Sequence, residues 1–131
     1  MARQEAVIVA GVGFRLGTTA EEIEALVRQA LVLHGAERLD LLVTEAGKAD
    51  EPGFQEAGRR LSVDVAACTA ADLQSVSDKL LTRSARVLKA TGLPSIAEAA
   101  ALVAAGRNSR LLGPRVAAAR ATCALAVGDG R

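Results

Sequence analysis

The sequence contains very few aromatic residues, with Phe14 and Phe54 but no Trp and no Tyr. Half of its 131 residues are nevertheless hydrophobic, so the core has to be built from Ala, Val, Leu and Ile. This length suffices for one domain with a hydrophobic core, and we expect a single domain over residues 1–131. Because single-stranded nucleic acids bind by stacking on aromatic side chains, the composition disfavours such a partner.

The chain also has no large excess of charge of either sign, because its 16 basic and 15 acidic residues leave a net charge of +1. Only the last quarter is locally basic, with Arg107, Arg110, Arg115 and Arg120. Because no large basic field attracts polyanions, we expect neither nucleic acid nor a membrane among the partners. The apolar runs are too short for a signal peptide or a transmembrane helix, which predicts a soluble cytoplasmic protein.

Residues that bind transition metals are scarce as well. The chain has one histidine, His34, and two cysteines, Cys68 and Cys123, without ligand-like spacing. We therefore expect no metal site and no cofactor. The cysteines fall in predicted strands and are expected to be free buried thiols, with a disulfide as the alternative. His34 falls in the last turn of a predicted helix, where an imidazole caps carbonyl groups.

Apolar runs bounded by turn-forming residues predict strands at residues 6–10, 39–44, 63–68, 111–112 and 122–127. The first strand is apolar throughout and is expected to be central. Helices are predicted between the strands, including a short one over residues 84–90 that Gly92 ends. The pattern predicts an α/β fold, three-layer α/β/α with a mixed, mostly parallel sheet and a C-terminal antiparallel hairpin. Residues 128–131 are expected to be a frayed tail.

Helix boundaries are marked by capping residues. A hydroxyl three positions before a carboxylate predicts a helix start at Thr19 with Glu22, at Thr69 with Asp72 and at Ser95 with Glu98. Asp50 is expected to cap the helix that begins near Pro52. Gly35 and Gly106 are expected to follow the last residues of their helices.

A glycine-rich stretch after the first strand is the most informative motif, with Gly11, Gly13 and Gly17 around Arg15 and before Thr18. It misses the dinucleotide fingerprint by one residue and lacks the Lys-Ser/Thr of a P-loop, and no acidic residue closes the second predicted strand. Nucleotide binding and a purely structural turn remain alternatives. Arg15 beside backbone N–H groups at a helix start favours a receptor for carboxylates, unless its side chain only snorkels along the surface.

A second polar cluster, Lys48 to Glu51, also follows a predicted strand. Because parallel strands end at the same edge of a sheet, this cluster is expected near Arg15. Lys48 is suited to pairing with a ligand carboxylate. Asp50 or Glu51 is suited to act as a base, and the alternative is a helix cap at Asp50 and a solvated Glu51.

Three motifs in this order resemble the cobalamin-biosynthesis family that includes CobE and the C-terminal domain of CbiG. They are residues 11–23, 48–53 and 92–102, and the strand at 122–127 fits the family's ending. The resemblance covers essentially the whole chain. Phe14 stands where the family usually has a cysteine, which excludes thiol chemistry at that position. Arg115 keeps the positive charge of a turn that often carries a lysine.

The resemblance implies that the chain binds a corrin-ring intermediate, of the precorrin or hydrogenobyrinic acid type, through its acetate and propionate carboxylates. The implied role is a carrier or accessory factor that works with other enzymes of the pathway. The expected ligand-binding residues are Gly11, Gly13, Arg15, Gly17, Thr18, Lys48 and Arg115. The alternative is a hydrolase or isomerase acting on a precorrin, as in the lactone-opening CbiG enzymes, with Asp50 or Glu51 as general base.

Overall fold

The computed structural model describes residues 6–84, 88–89, 93 and 95–131. In this part of the chain the strands are β1 (Val7–Phe14), β2 (Leu41–Glu45), β3 (Asp64–Cys68), β4 (Arg110–Leu111), β5 (Val116–Ala117) and β6 (Ala121–Gly128). The α-helices are α1 (Ala20–Leu33), α2 (Pro52–Leu61), α3 (Ala70–Gln74) and α4 (Ile96–Ala105). The helix predicted over 84–90 and its end at Gly92 lie largely outside the described residues. None of the described helices has the length and apolar character needed to cross a membrane.

The described strands form one sheet in the order β3-β2-β1-β6-β4, with β5 also paired to β6. β1, β2 and β3 are parallel, whereas β6 runs antiparallel to β1, β4 and β5. The mixed sheet with helices on both faces confirms the predicted fold class, and β1 is central as expected. The antiparallel part is larger than a hairpin because β6 pairs with β1 along eight residues and because β5, which was not predicted, joins it.

The two faces of the sheet carry separate apolar clusters because side chains alternate along β1. Ala10 and Phe14 point to the face covered by α1 and α2, together with Ile23 and Phe54. Val9 points to the other face, where α3 and α4 contribute leucines and a run of alanines. The phenyl rings of Phe14 and Phe54 stack with centroids 5.9 Å apart.

Helix α4 lies very close to β1, and the glycines of the predicted loop make this possible. A Cβ atom at Gly11 would lie 2.2 Å from the carbonyl oxygen of Ala97 and 2.6 Å from the amide nitrogen of Ala101. Gly11 and Gly13 are residues of β1 and pair with β6, so the prediction that the strand ends at Ala10 is wrong. In the sequence the pair is typical of a turn, but at Gly11 the missing side chain makes room for a helix.

The local capping signals were mostly correct. Thr19 and Glu22 form the predicted capping box at α1, and Thr69 and Asp72 form the same arrangement at α3. Gly35 and Gly106 follow α1 and α4 with φ angles of +67° and +79°. These boundaries depend on residues within four positions of each other, and such local signals are readable in a sequence.

One cap prediction is wrong, and another is confirmed only in part. The residue that precedes α2 is Glu51 rather than Asp50, and its side chain makes no capping hydrogen bond. At α4 the Ser95 hydroxyl accepts from the Glu98 N–H at 3.2 Å, as predicted. The Glu98 carboxylate, however, binds groups from two other segments instead of completing a capping box.

The predicted frayed tail is also wrong, because the last residues are tied to the body. The Asp129 and Gly130 N–H groups donate to the carbonyls of Arg107 and Ala105, each at 2.8 Å. The Arg131 guanidinium lies 2.8 Å from the Asp72 carboxylate. The backbone after β6 therefore continues to bind the segment that follows α4.

Cys68 and Cys123 are both free and buried, which confirms the prediction. Burial raises the pKa of the Cys123 thiol to about 12 and also raises the pKa of Cys68. The two thiols lie on opposite faces of the sheet. Cys123 packs in the cluster that α1 and α2 cover, and Cys68 packs in the cluster on the other face.

Candidate functional site

An open cavity of about 490 Å³ lies at the carboxyl ends of β1 and β2. Its walls come from distant parts of the chain. The lining residues are Gly13, Phe14, Arg15, Thr44, Glu45, Lys48, Ser84, Ile96, Arg115 and residues 117–122. This edge of the sheet is where open α/β sheets bind their ligands. The volume lies in the range of small-molecule sites.

Three cationic side chains predicted as ligand-binding residues line this one cavity: Arg15, Lys48 and Arg115. Among the described lining residues, Glu45 is the one carboxylate. Neither Arg15 nor Arg115 forms an ion pair with any carboxylate in the described ranges. The cavity wall therefore carries a surplus of positive charge in a chain whose net charge is only +1.

Lys48 is fixed at the cavity by Phe14. Its ammonium donates to the Phe14 carbonyl and lies 5.3 Å from the centroid of the phenyl ring. An ammonium has three N–H donors, and the carbonyl accepts one of them. The remaining donors are available to a ligand, while the cation–π contact holds the side chain half-buried at the wall.

The turn after β1 is stabilised by hydrogen bonds between its own residues. Thr18 donates through its N–H and its hydroxyl to the Arg15 carbonyl, at 3.2 and 2.6 Å. Gly17 adopts a φ of +83°, which favours glycine. Thr18 is buried in this turn, with 4% exposure. Three of the predicted ligand-binding residues do not line the cavity, namely Gly11, Gly17 and Thr18.

The start of α1 already holds a carboxylate of the chain itself. The guanidinium of Arg120 binds both oxygens of Glu22, at 3.1 and 2.8 Å, and donates to the Gly17 carbonyl at 2.8 Å. The Arg120 hydrogen bonds and the Thr19 N–H lower the pKa of Glu22 to about 2. Glu22 thus occupies the positively charged N-terminus of α1. The positive charge that is available to a ligand therefore comes from side chains and not from the helix N-terminus.

The carboxylates proposed as bases, Asp50 and Glu51, do not line the cavity. Glu45 lines it instead, as the last residue of β2. The prediction that no acidic residue closes the second strand is therefore wrong. The predicted strand ends one residue before Glu45, because Glu45 adjoins Ala46 and Gly47, which are typical of a loop.

The nucleotide alternative loses its structural basis. A dinucleotide site needs its glycines in the turn between strand and helix, where the backbone can approach a pyrophosphate. Gly11 and Gly13 lie within β1, and a Cβ at Gly11 would collide with α4. Gly17 is the one glycine of the motif that lies in the turn.

His34 does not use its ring to cap α1, contrary to the prediction. Its backbone N–H donates to the Ala30 carbonyl at 3.0 Å, whereas the buried Nε2 atom has no partner among the described residues. A Cβ at Gly113 would lie 2.4 Å from the His34 ring, so the two residues are in close contact. In the part of the chain that the structure describes, no group of three His, Cys, Asp or Glu side chains is placed to hold a metal ion.

Comparison with known proteins places the chain among the α/β proteins of cobalamin biosynthesis. The crystal structure of CobE, a protein from the cobalamin (vitamin B12) biosynthetic pathway, matches with a TM-score of 0.86 and 38% identity, over 93% of this chain and 90% of that one. The model of the family described as Cobalamin synthesis G C-terminus matches residues 8–126. The chain belongs to this family, as the resemblance of its motifs implied.

Further relatives agree with this assignment. Protein CobE from Sinorhizobium sp is 37% identical over 121 residues, which cover 91% of this chain and 79% of that protein. The cobalamin biosynthesis protein chiG from Agrobacterium tumefaciens has a TM-score of 0.75 and 37% identity, over 93% of this chain and 98% of that one. A cobalamin biosynthesis protein G homolog from Sulfolobus solfataricus shares the fold, with a TM-score of 0.69 and 20% identity over 92% of this chain and 36% of that one.

Proposed function

We propose that this chain binds a corrin-ring intermediate of cobalamin biosynthesis through the carboxylates on its periphery, and that it serves as a carrier or accessory factor for other enzymes of the pathway. The site is the cavity at the carboxyl ends of β1 and β2. The observation that carries the proposal is the convergence of Arg15, Lys48 and Arg115 on one cavity with a single described carboxylate, Glu45.

The chemistry of the lining matches such a ligand. Corrin intermediates carry acetate and propionate groups on a broad apolar ring. Arginine binds carboxylates through two parallel hydrogen bonds, and the apolar part of the wall, from Phe14, Ile96 and the alanines 117–119, is suited to contact with the ring. Because the cavity is open and has the size of a small-molecule site, it accommodates one edge of the macrocycle.

The strength of the contacts is sufficient for a carrier. A hydrogen bond to a charged group contributes about 1.5–3 kcal/mol when it is removed from water. Three such contacts contribute roughly 4.5–9 kcal/mol before the cost of association. Contact of the apolar ring with the wall has to supply the rest of the about 8 kcal/mol that micromolar affinity requires. A carrier has to release its ligand, and a complex of micromolar affinity dissociates readily.

Binding is favoured over the proposed catalysis by the position of Asp50 and Glu51. The hydrolase or isomerase hypothesis relies on Asp50 or Glu51 as base, and neither lines the cavity. A general base has to lie within hydrogen-bond reach of the proton that it removes. Catalysis is tested directly by following the mass and spectrum of the corrin over many equivalents of ligand.

The proposal is tested by titrating the protein with hydrogenobyrinic acid, a cobalt-free corrin with free carboxylates, and recording its absorbance. The fully methyl-esterified corrin, which has the same ring without the charges, is the matched control ligand. We expect the acid to bind with micromolar affinity, at least tenfold more tightly than the ester. Added salt should weaken binding of the acid, since the contacts are electrostatic.

The site within the protein is tested with Arg15→Ala and Arg115→Ala. Each removes a charge-assisted contact and should weaken binding of the acid about 10- to 100-fold. Arg110→Ala is the control, because Arg110 is exposed and lies outside the cavity lining. Unchanged affinity in both cavity variants, or equal binding of acid and ester, would refute the proposal.

A further inference from the structure

Glu98 has the one carboxylate that is fully buried among the described residues. Oε1 accepts from the N–H groups of Leu81 and Thr82, both at 2.9 Å. Oε2 accepts from the Thr82 hydroxyl at 2.7 Å and from the Arg115 N–H at 2.9 Å. Buried carboxylates are stable only when they are well hydrogen-bonded, and four donors meet that condition here.

The donors come from two segments that both reach the cavity. Arg115 is itself a lining residue, and Ser84, two positions after Thr82, is another. Ile96, two positions before Glu98 in the first turn of α4, also lines the cavity. Glu98 therefore lies behind the cavity wall and joins the pieces of chain that form it.

From this arrangement we propose that Glu98 is a positioning residue for the cavity, whose carboxylate fixes the backbone of Arg115 so that the guanidinium faces the ligand. The inference rests on the proposed function and deepens it. Glu98 is suited to this role because α4 is packed directly against β1 at Gly11, which makes the carboxylate a rigid anchor.

The position of Arg115 depends on such an anchor. The segment that connects β4 to β5 spans only residues 112–115, and the Glu98 bond holds its last N–H. Charge-assisted bonds of this kind are roughly twice as strong as neutral ones. Without the bond, Arg115 keeps its charge but loses its fixed direction, and ordering it again on binding costs affinity.

A residue with a merely structural role would change stability without changing affinity of the folded protein. The test is therefore the affinity for hydrogenobyrinic acid, measured under conditions where circular dichroism shows each variant fully folded. We expect Glu98→Gln to weaken binding about tenfold, because the neutral amide retains the shape but has one acceptor oxygen instead of two, so its NH2 group faces N–H donors that the carboxylate accepted from. Thr82→Val is the matched control, since it removes one bond to the same carboxylate and leaves the Arg115 bond in place, and it should bind within about twofold of wild type.

A double-mutant cycle distinguishes action through Arg115 from a general loosening of the wall. In the Arg115→Ala background, Glu98→Gln should cause no further loss of affinity. Additive losses, or wild-type affinity of folded Glu98→Gln, would overturn the inference while leaving the proposed function in place. Absence of binding by wild type would overturn both.

If Glu98→Gln does not fold, Glu98→Asp takes its place. The shorter side chain keeps the charge but draws the carboxylate back from the Arg115 N–H by one methylene. We expect an intermediate loss of affinity for the same corrin that again disappears in the Arg115→Ala background. Wild-type affinity of Glu98→Asp would show that the reach of the carboxylate to Arg115 has no effect on the site.

Discussion

Arg120 and Glu22 lie 98 positions apart in the sequence and form a two-point ion pair, with Nε–Oε2 and Nη2–Oε1 distances of 3.1 and 2.8 Å. The pair joins the turn between β5 and β6 to the first turn of α1. Through its bond to the Gly17 carbonyl, the same guanidinium holds the turn that carries Arg15. One border of the cavity is thus fixed by a contact between distant parts of the chain.

This ion pair predicts a specific acid dependence of stability. The pKa of Glu22 is about 2 in the folded protein against an ordinary value of 4.5. A group whose pKa is lowered by folding stabilises the protein above its unfolded pKa and loses that contribution as pH falls toward the folded value. The free energy of unfolding, from urea titrations, should therefore fall between about pH 4.5 and 2, and Glu22→Gln should reduce this fall.

The control for the acid dependence is Glu37→Gln, at an exposed residue with no ion pair to any described side chain. It should leave the pH profile of the unfolding free energy unchanged. Equal profiles for Glu22→Gln and wild type would contradict the assignment of the effect to Arg120 and Glu22.

The buried carboxylate predicts a large difference between neighbouring substitutions in α4. Ser95→Ala removes a helix cap and should cost about 1 kcal/mol of unfolding free energy. Glu98→Ala leaves several buried donors without an acceptor, each worth about 1–3 kcal/mol, and should cost about 3 kcal/mol or more. Urea unfolding monitored by circular dichroism measures both. Similar losses would mean that Glu98 acts only as a capping residue.

The close approach of α4 to β1 predicts that Gly11→Ala is strongly destabilising. The added Cβ would lie 2.2 Å from the Ala97 carbonyl oxygen, so the helix has to shift. Overpacking of this kind costs about 1–3 kcal/mol or more. Gly47→Ala is the matched control, because its nearest atom would be the Glu45 Oε1 at 3.6 Å, an ordinary contact. Thermal unfolding should show a lower Tm for Gly11→Ala alone.

The buried thiols predict slow chemical modification. Burial raises the pKa of Cys123 to about 12 and also raises that of Cys68, and the thiolate is the reactive form. Ellman's reagent at about pH 8 should therefore label neither cysteine rapidly in the folded protein. In urea both thiols should react at once, which provides the internal control. Rapid labelling of one thiol without urea would show that its environment opens.

The sequence was most informative where the interaction is local. The capping boxes of Thr19 with Glu22 and of Thr69 with Asp72 involve residues three apart, so the hydroxyl and the carboxylate identify them directly. Glu98 fits the same local pattern but binds Leu81, Thr82 and Arg115, which only the folded chain brings near it. Gly11 was misread for a related reason, since the helix that needs its missing side chain lies far along the sequence.

The candidate site was predictable in part from the topology of parallel strands. Arg15 and Lys48 follow neighbouring parallel strands, and they line one cavity as that rule implies. Arg115 entered only through family resemblance, because nothing local connects it with β1. Glu45 was missed since a one-residue error in the end of β2 moved it into a loop, and Arg120 because its partner Glu22 is distant.

The pairing of β1 with β6 also bears on how the chain folds during synthesis. β1 leaves the ribosome before β6, the strand that covers its second edge, has been made. Until then one edge of an apolar strand is open to pairing with other chains. The wall of the cavity between Gly13 and Thr122 therefore forms only when β6 has been made and has paired with β1.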